Sequence, residues 1–187
     1  VLERAGDAIM KSLSKLADNK KIQEDKERIY ERIRFTDDIE SCKADIVIEA
    51  IIEKLTAKIS LFSQLAELNN EETVFATNTS SLSVASIADG LKNPDRVAGM
   101  HFFNPAPLMK LVEIVKAGQT SNKTIEIVTQ LARKMGKVPV NCNDSPGFIV
   151  NRVARPFYIE SLRTAEKGSV EFETIDTILE ATGFKMG

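Results

Sequence analysis

Asp45-Ile46-Val47-Ile48-Glu49-Ala50-Ile51 is an apolar run bracketed by acids. Such a run suits a strand covered on both faces, as in a parallel sheet, rather than the strict alternation of a half-solvated one. Directly after it, Leu55, Ile59, Phe62, Leu65 and Leu68 recur at helical spacing. Toward the C-terminus the pattern predicts a strand at 73–76, a short helix from Ser83 to Gly90, strands at 96–102 and 110–115, a helix from Ser121 to Gly136, and a strand at 138–142. Short strands alternating with helices define an open, doubly wound α/β sheet. Toward the N-terminus, Leu2, Ala5, Ile9, Leu13 and Leu16 share one face of an amphipathic helix, and the basic turn Lys20-Lys21 leads to a second helix over 25–33. Beyond the loop Asn143-Asp144-Ser145-Pro146-Gly147 everything reads as helix, over 148–167 and 171–182. Residues 1–143 are therefore read as the sheet domain and 144–187 as the start of an all-helical domain.

The composition excludes several classes of function. With 43% hydrophobic and 28% charged residues, 9 Gly and 6 Pro, the chain is neither disordered nor fibrous. Its 25 basic residues nearly balance 27 acidic ones, so no net field draws it to nucleic acid or a membrane surface. No apolar run is long enough for a membrane span, and Val1 opens no signal peptide. Cys42 and Cys142 lie one hundred residues apart, without metal-type spacing, and read as reduced thiols of a cytoplasmic protein. The sequence begins with Val inside a helix and stops directly after another, so it reads as a piece of a longer chain.

Ligands of a doubly wound sheet bind at the carboxyl ends of its strands, so the residues following each strand are the candidates. After 73–76 come five small polar residues, Thr77-Asn78-Thr79-Ser80-Ser81, of which a helix N-cap would use one. At the end of the next strand stands His101, the sole histidine. Glu113 interrupts the apolar strand 110–115; pointing inward it would need a partner, and histidine is the natural one. A carboxylate that orients an imidazole makes a general base. Asn151 opens the helix after the loop, where its amide could reach an oxygen in a cleft. Glu53 and Lys58, taken by spacing alone, read as an ion pair on a helix surface. No Gly-x-Gly-x-x-Gly occurs, so no cofactor follows from a motif here.

Four blocks carry a resemblance: Ala76-Thr77-Asn78-Thr79-Ser80-Ser81-Leu82, Gly99-Met100-His101-Phe102-Phe103-Asn104-Pro105-Ala106-Pro107, Met109-Lys110-Leu111-Val112-Glu113 and Ser145-Pro146-Gly147-Phe148-Ile149-Val150-Asn151-Arg152. In this order and spacing they resemble the NAD-dependent L-3-hydroxyacyl-CoA dehydrogenase family, including the short bacterial 3-hydroxybutyryl-CoA dehydrogenases. The resemblance runs through the whole sequence. It implies an incomplete Rossmann-type sheet, lacking the first β-α-β unit with its Gly-rich turn and the acid that holds the adenosine ribose, followed by the beginning of the helical domain that forms much of a homodimer interface. The segment by itself is expected to be inactive.

The resemblance further implies oxidation of (3S)-3-hydroxyacyl-CoA to 3-oxoacyl-CoA with NAD, in fatty-acid or butanoate metabolism, with no metal. His101 would be the base, Glu113 its orienting acid, and Ser80 and Asn151 donors to the reacting oxygen. Glu53, Lys58, Ser80 and Asn104 would lie near the nicotinamide half of the cofactor. Ser12 matches a CoA-contacting position; a family lysine falls on Asn19, with Lys20 and Lys21 beside it, so Lys20 is taken as the phosphate contact. A relative acting on a free hydroxy acid is the competing enzyme reading, distinguished by the basic turn, which a free acid does not require. A recruited, non-catalytic lens-protein role is disfavoured by the complete His101, Glu113, Ser80 and Asn151 set.

Overall fold

The computed structural model describes residues 1–168 and 170–185, so Ser169, Met186 and Gly187, all inside the expected helical segment 144–187, lie outside the described residues. The chain divides into two compact units, Val1–Lys43 and Ala44–Gly187.

In the first unit, α1 (Leu2–Asp18) and α2 (Lys26–Glu31) pack through Gly6, where a Cβ would come within 2.6 Å of the Tyr30 hydroxyl oxygen. The α1 C-terminus is closed by Lys20, in the left-handed region at φ 53°, with bonds from Lys20 N to Ala17 O (2.9 Å) and Lys21 N to Leu16 O (2.8 Å). This is the bond pattern of a Schellman cap, with a lysine where glycine is usual. The Asp25 side chain caps α2 by accepting from the Glu27 N–H.

The second unit holds β1 (Ile46–Glu49), α3 (Leu55–Leu68), β2 (Val74–Thr77), α4 (Val84–Ala88), β3 (Val97–Phe102), β4 (Leu111–Lys116), α5 (Asn122–Lys134), β5 (Val138–Asn143), α6 (Val150–Glu166) and α7 (Phe172–Ala181). The sheet order is β1-β2-β3-β4-β5; β1, β2 and β3 are mutually parallel, β4 is antiparallel to β3, and β5 is parallel to β4. The reversal at β4 departs from a uniformly parallel sheet, and its cause is covalent. Only residues 103–110 separate β3 from β4, too few for a crossover, which takes about a dozen or more. Among the described residues the strand order runs one way without the reversal that marks a switch point.

Side chains alternate across the sheet. Val74, Ala76, Ala98, Met100, Val112 and Ile114 pack with Val128 and Ala132 of α5 to form one core layer. The opposite face carries Phe75 against Phe62 of α3, ring centroids 5.2 Å apart. There Gly99 admits α4 and β4 to van der Waals contact: a Cβ would fall 2.6 Å from Val115 Cβ and 3.1 Å from Val84 Cγ2. This second face also carries Glu49, Thr77, His101 and Glu113. In contrast, α6 buries no residue fully, and Val153, Leu162, Phe172 and Ile178 stand exposed on α6 and α7.

Candidate active site

The antiparallel register sets His101 of β3 directly opposite Glu113 of β4. Both side chains point to the same face, and His101 Nδ1 lies 2.7 Å from Glu113 Oε2. The pair is dry: His101 is 6% exposed and Glu113 1%. The second carboxylate oxygen, Oε1, accepts from the backbone N–H groups of Ile149 (2.9 Å) and Val150 (2.8 Å), the first turn of α6. A carboxylate there satisfies two otherwise orphaned donors and meets the positive end of a 17-residue helix dipole. Glu113 is thus held by three donors and fixes the imidazole through Nδ1, which leaves Nε2 without a protein partner among the described residues. Phe103 and Phe148 rings stand 4.7 and 5.8 Å from the imidazole and screen it from water. The turn into α6 is made by Gly147 at φ 76°, so its position before the helix follows from backbone geometry.

At the carboxyl ends of β1 and β2 a second buried carboxylate appears that the sequence reading did not single out. Glu49 is 2% exposed; its Oε1 accepts from Lys58 Nζ (2.6 Å) and Ile51 N (2.6 Å), and its Oε2 from Thr77 Oγ1 (2.7 Å). Lys58, 1% exposed, also lies 3.3 Å from Glu53 Oε2. Lys58 is therefore no surface ion-pair partner: α3 folds back over β1 and carries the ammonium into the interior. The signal for this was faint, an acid ending an apolar strand with a lysine on the first turn of the next helix.

Glu53 in turn organises the small polar loop. Its Oε1 accepts from Thr79 Oγ1 (2.5 Å), Ser80 N (2.9 Å), Ser81 N (3.2 Å) and Ser81 Oγ (3.2 Å). Burial raises the Glu53 carboxyl, but the Thr79 and Ser80 hydrogen bonds and the Lys58 charge outweigh it and bring the group down to about 2. Each of the five small residues has a distinct partner or role. Thr77 bonds Glu49, Asn78 Oδ1 accepts from Phe102 N (2.8 Å) beside His101, and Thr79 receives Ser81 N and Leu82 N. None of them caps α4; that is done by Ser83, whose hydroxyl accepts from Ser86 N.

Ser80 and Asn104 are exposed, and Asn151 is half-buried in the first turn of α6. Within the second unit the structure thus groups His101 with Glu113 and the α6 start, and Glu53 with Lys58 and Ser80. Ser12, half-buried on α1, and exposed Lys20 belong to the first unit. Burial, then the charges of Glu113 and Asp144, push the Cys142 thiol up to about 11, which disfavours the nucleophilic thiolate, and neither cysteine forms a disulfide. Asp144 ties the loop after β5 to α4, accepting from Ser83 Oγ and Ala85 N, each at 2.8 Å.

The carboxylate-oriented imidazole thus lies at the carboxyl edge of an α/β sheet, where ligands of such sheets bind, in an arrangement suited to proton transfer. Residues 1–145 match the 3-hydroxyacyl-CoA dehydrogenase, NAD binding domain, and residues 147–187 match the 3-hydroxyacyl-CoA dehydrogenase, C-terminal domain; the chain belongs to the 3-hydroxyacyl-CoA dehydrogenase family. It is 47% identical to the 3-hydroxyadipyl-CoA dehydrogenase of Escherichia coli K12 over all of this chain and 40% of that protein. It is 42% identical to the mitochondrial hydroxyacyl-coenzyme A dehydrogenase of Sus scrofa over all of this chain and 62% of that protein. The crystal structure of 3-hydroxybutyryl-CoA dehydrogenase from E. coli K12 superposes with a TM-score of 0.95 at 46% identity, covering 100% of this chain and 40% of that one. The chain thus spans 40% to 62% of the length of these curated relatives.

Proposed function

We propose that the protein oxidises (3S)-3-hydroxyacyl-CoA to 3-oxoacyl-CoA, with a short-chain substrate such as 3-hydroxybutyryl-CoA, in fatty-acid or butanoate metabolism. The observation that carries this reading is the 2.7 Å bond between His101 Nδ1 and Glu113, which leaves the other imidazole nitrogen open at the sheet edge. His101 Nε2 takes the proton from the 3-hydroxyl. Glu113 holds the ring in one orientation and faces the imidazolium as it forms. Ser80 and Asn151 donate to the reacting oxygen. NAD, when bound, accepts the hydride from C3.

The residues present fit the reactive half of that cofactor. Exposed Ser80, Ser81 and Asn104 and the partly exposed Glu53 carboxylate supply hydrogen-bond donors and acceptors at the carboxyl edge, with Lys58 behind Glu53. Ser12 and Lys20 are proposed to meet the CoA moiety. The division into a cofactor domain over 1–143 and a helical domain from Asp144 is part of the same reading. So is a homodimer, supported by the exposed apolar side chains of α6 and α7. No helix among the described residues is long and apolar enough to cross a membrane, and we read the protein as cytoplasmic.

The test is NADH oxidation by the natural full-length protein with acetoacetyl-CoA. Turnover should fall about 10²- to 10⁴-fold in His101→Ala. An unchanged rate would remove His101 from the chemistry, and NADH binding without turnover would turn the reading toward a free hydroxy acid.

A further inference from the structure

The cluster Glu49, Lys58 and Glu53 sets two carboxylates against one ammonium. Lys58 lies closer to Glu49 (2.6 Å) than to Glu53 (3.3 Å), and both Lys58 and Glu49 are sealed from solvent. The uncompensated charge is therefore displayed by Glu53, whose side chain is 37% exposed at the carboxyl edge. The loop that Glu53 organises continues, through the bond from Phe102 N to Asn78 Oδ1, to the backbone beside His101. Hydride and proton leave the same carbinol. A nicotinamide that takes the hydride must therefore stand at this edge, within the field of the cluster. That ring is cationic when oxidised and neutral when reduced.

Resting on the NAD reading above, we infer that Glu49 is a redox-positioning residue: by occupying the buried Lys58, it leaves Glu53 as an unneutralised charge that favours the oxidised cofactor over the reduced one. Glu49 touches no ligand and acts through Lys58 and Glu53. In Glu49→Gln the cluster becomes neutral, because the Lys58 charge then falls wholly on Glu53. The depressed ionisation of Glu53 keeps it charged across the physiological range.

The experiment is a pair of equilibrium titrations, NAD and NADH separately, on the natural full-length protein and on Glu49→Gln. The ratio of the two dissociation constants should move against the oxidised form by roughly fivefold or more, fivefold being the order for one unit charge about 4 Å away at the dielectric of water. Replacing Glu49 by Gln and Lys58 by Met together restores a net charge of one carboxylate, so the double variant should regain the natural ratio, whatever the loss of Lys58 from the cofactor edge does to the two affinities alike. It also carries no unpaired buried ion, which keeps the test available if the single variant does not fold. Equal weakening of both forms, or a ratio that differs between the double variant and the natural protein, overturns the inference. A natural protein that binds neither form overturns the cofactor reading itself, and this inference with it.

Discussion

Glu49 and Glu113 are two carboxylates of one sheet, both sealed from water, both on the face opposite α5, and both held by three donors. Their partners differ in one respect. Glu49 meets an ammonium, a hydroxyl and one backbone N–H. Glu113 meets an imidazole and two backbone N–H groups. A lysine partner closes the site, because its remaining contacts, to Glu53 and the Ile51 carbonyl, also lie within the protein and it has no lone pair to accept a proton. An imidazole partner leaves a second nitrogen at the sheet edge, so in the proposed function the same buried carboxylate anchors a proton acceptor. The helix N-terminus supplies at Glu113 the compensation that Lys58 supplies at Glu49. Burial of an acid is therefore not a mark of catalysis in itself; the open atom on its partner is.

Four substitutions would break or sharpen this contrast. The largest effect is expected at Glu113→Gln in the full-length protein, with kcat lowered by about 10²-fold or more and NADH affinity nearly unchanged. The amide oxygen can still take the α6 N–H groups, so kcat and binding falling together would make Glu113 structural and erase the contrast. Next, Lys58→Ala strips Glu49 of its counter-charge and should cost about 3–5 kcal/mol of stability in denaturant unfolding. A cost near zero would mean that Ile51 and Thr77 satisfy Glu49 alone.

Thr77→Val removes one neutral donor from the same carboxylate and should cost about 1.5–3 kcal/mol, separating the hydroxyl contribution from the ionic one. The smallest effect concerns acid. Glu53 sits at about 2, below its ordinary 4.5, so the stability it lends is complete above 4.5 and lost as the pH falls through about 2. Glu53→Gln should flatten that part of the acid-unfolding profile. An unaltered profile between pH 4.5 and 2 would show that its loop contacts do not depend on charge.

Much of the architecture was legible from the chain. The 3.6-residue period of 55–68 and the unbroken apolar run before it specify helix and strand, and the observed α3 and β1 lie within those spans. His101 and Glu113 were readable as partners because an acid in an apolar strand must find a donor. Glu49 was not legible. It too follows an apolar run, but its partner comes from a helix that looks amphipathic in isolation, and the burial of Lys58 depends on how α3 lies against β1.

What the sequence alone determines is local: periodicities, caps such as Ser83 and Ser121, the turn at Gly147, and residue chemistry at strand ends. What only the tertiary structure decides is which of these meet. The linker over 103–110 is too short for a crossover, so β4 runs antiparallel and Glu113 arrives across from His101. α6 then brings two N–H groups to the same carboxylate from residues 36 and 37 positions further along. Propensity acts within a few residues. The compensation of a buried charge is settled wherever the folded chain puts the nearest donor, and that distance is not written in any local pattern.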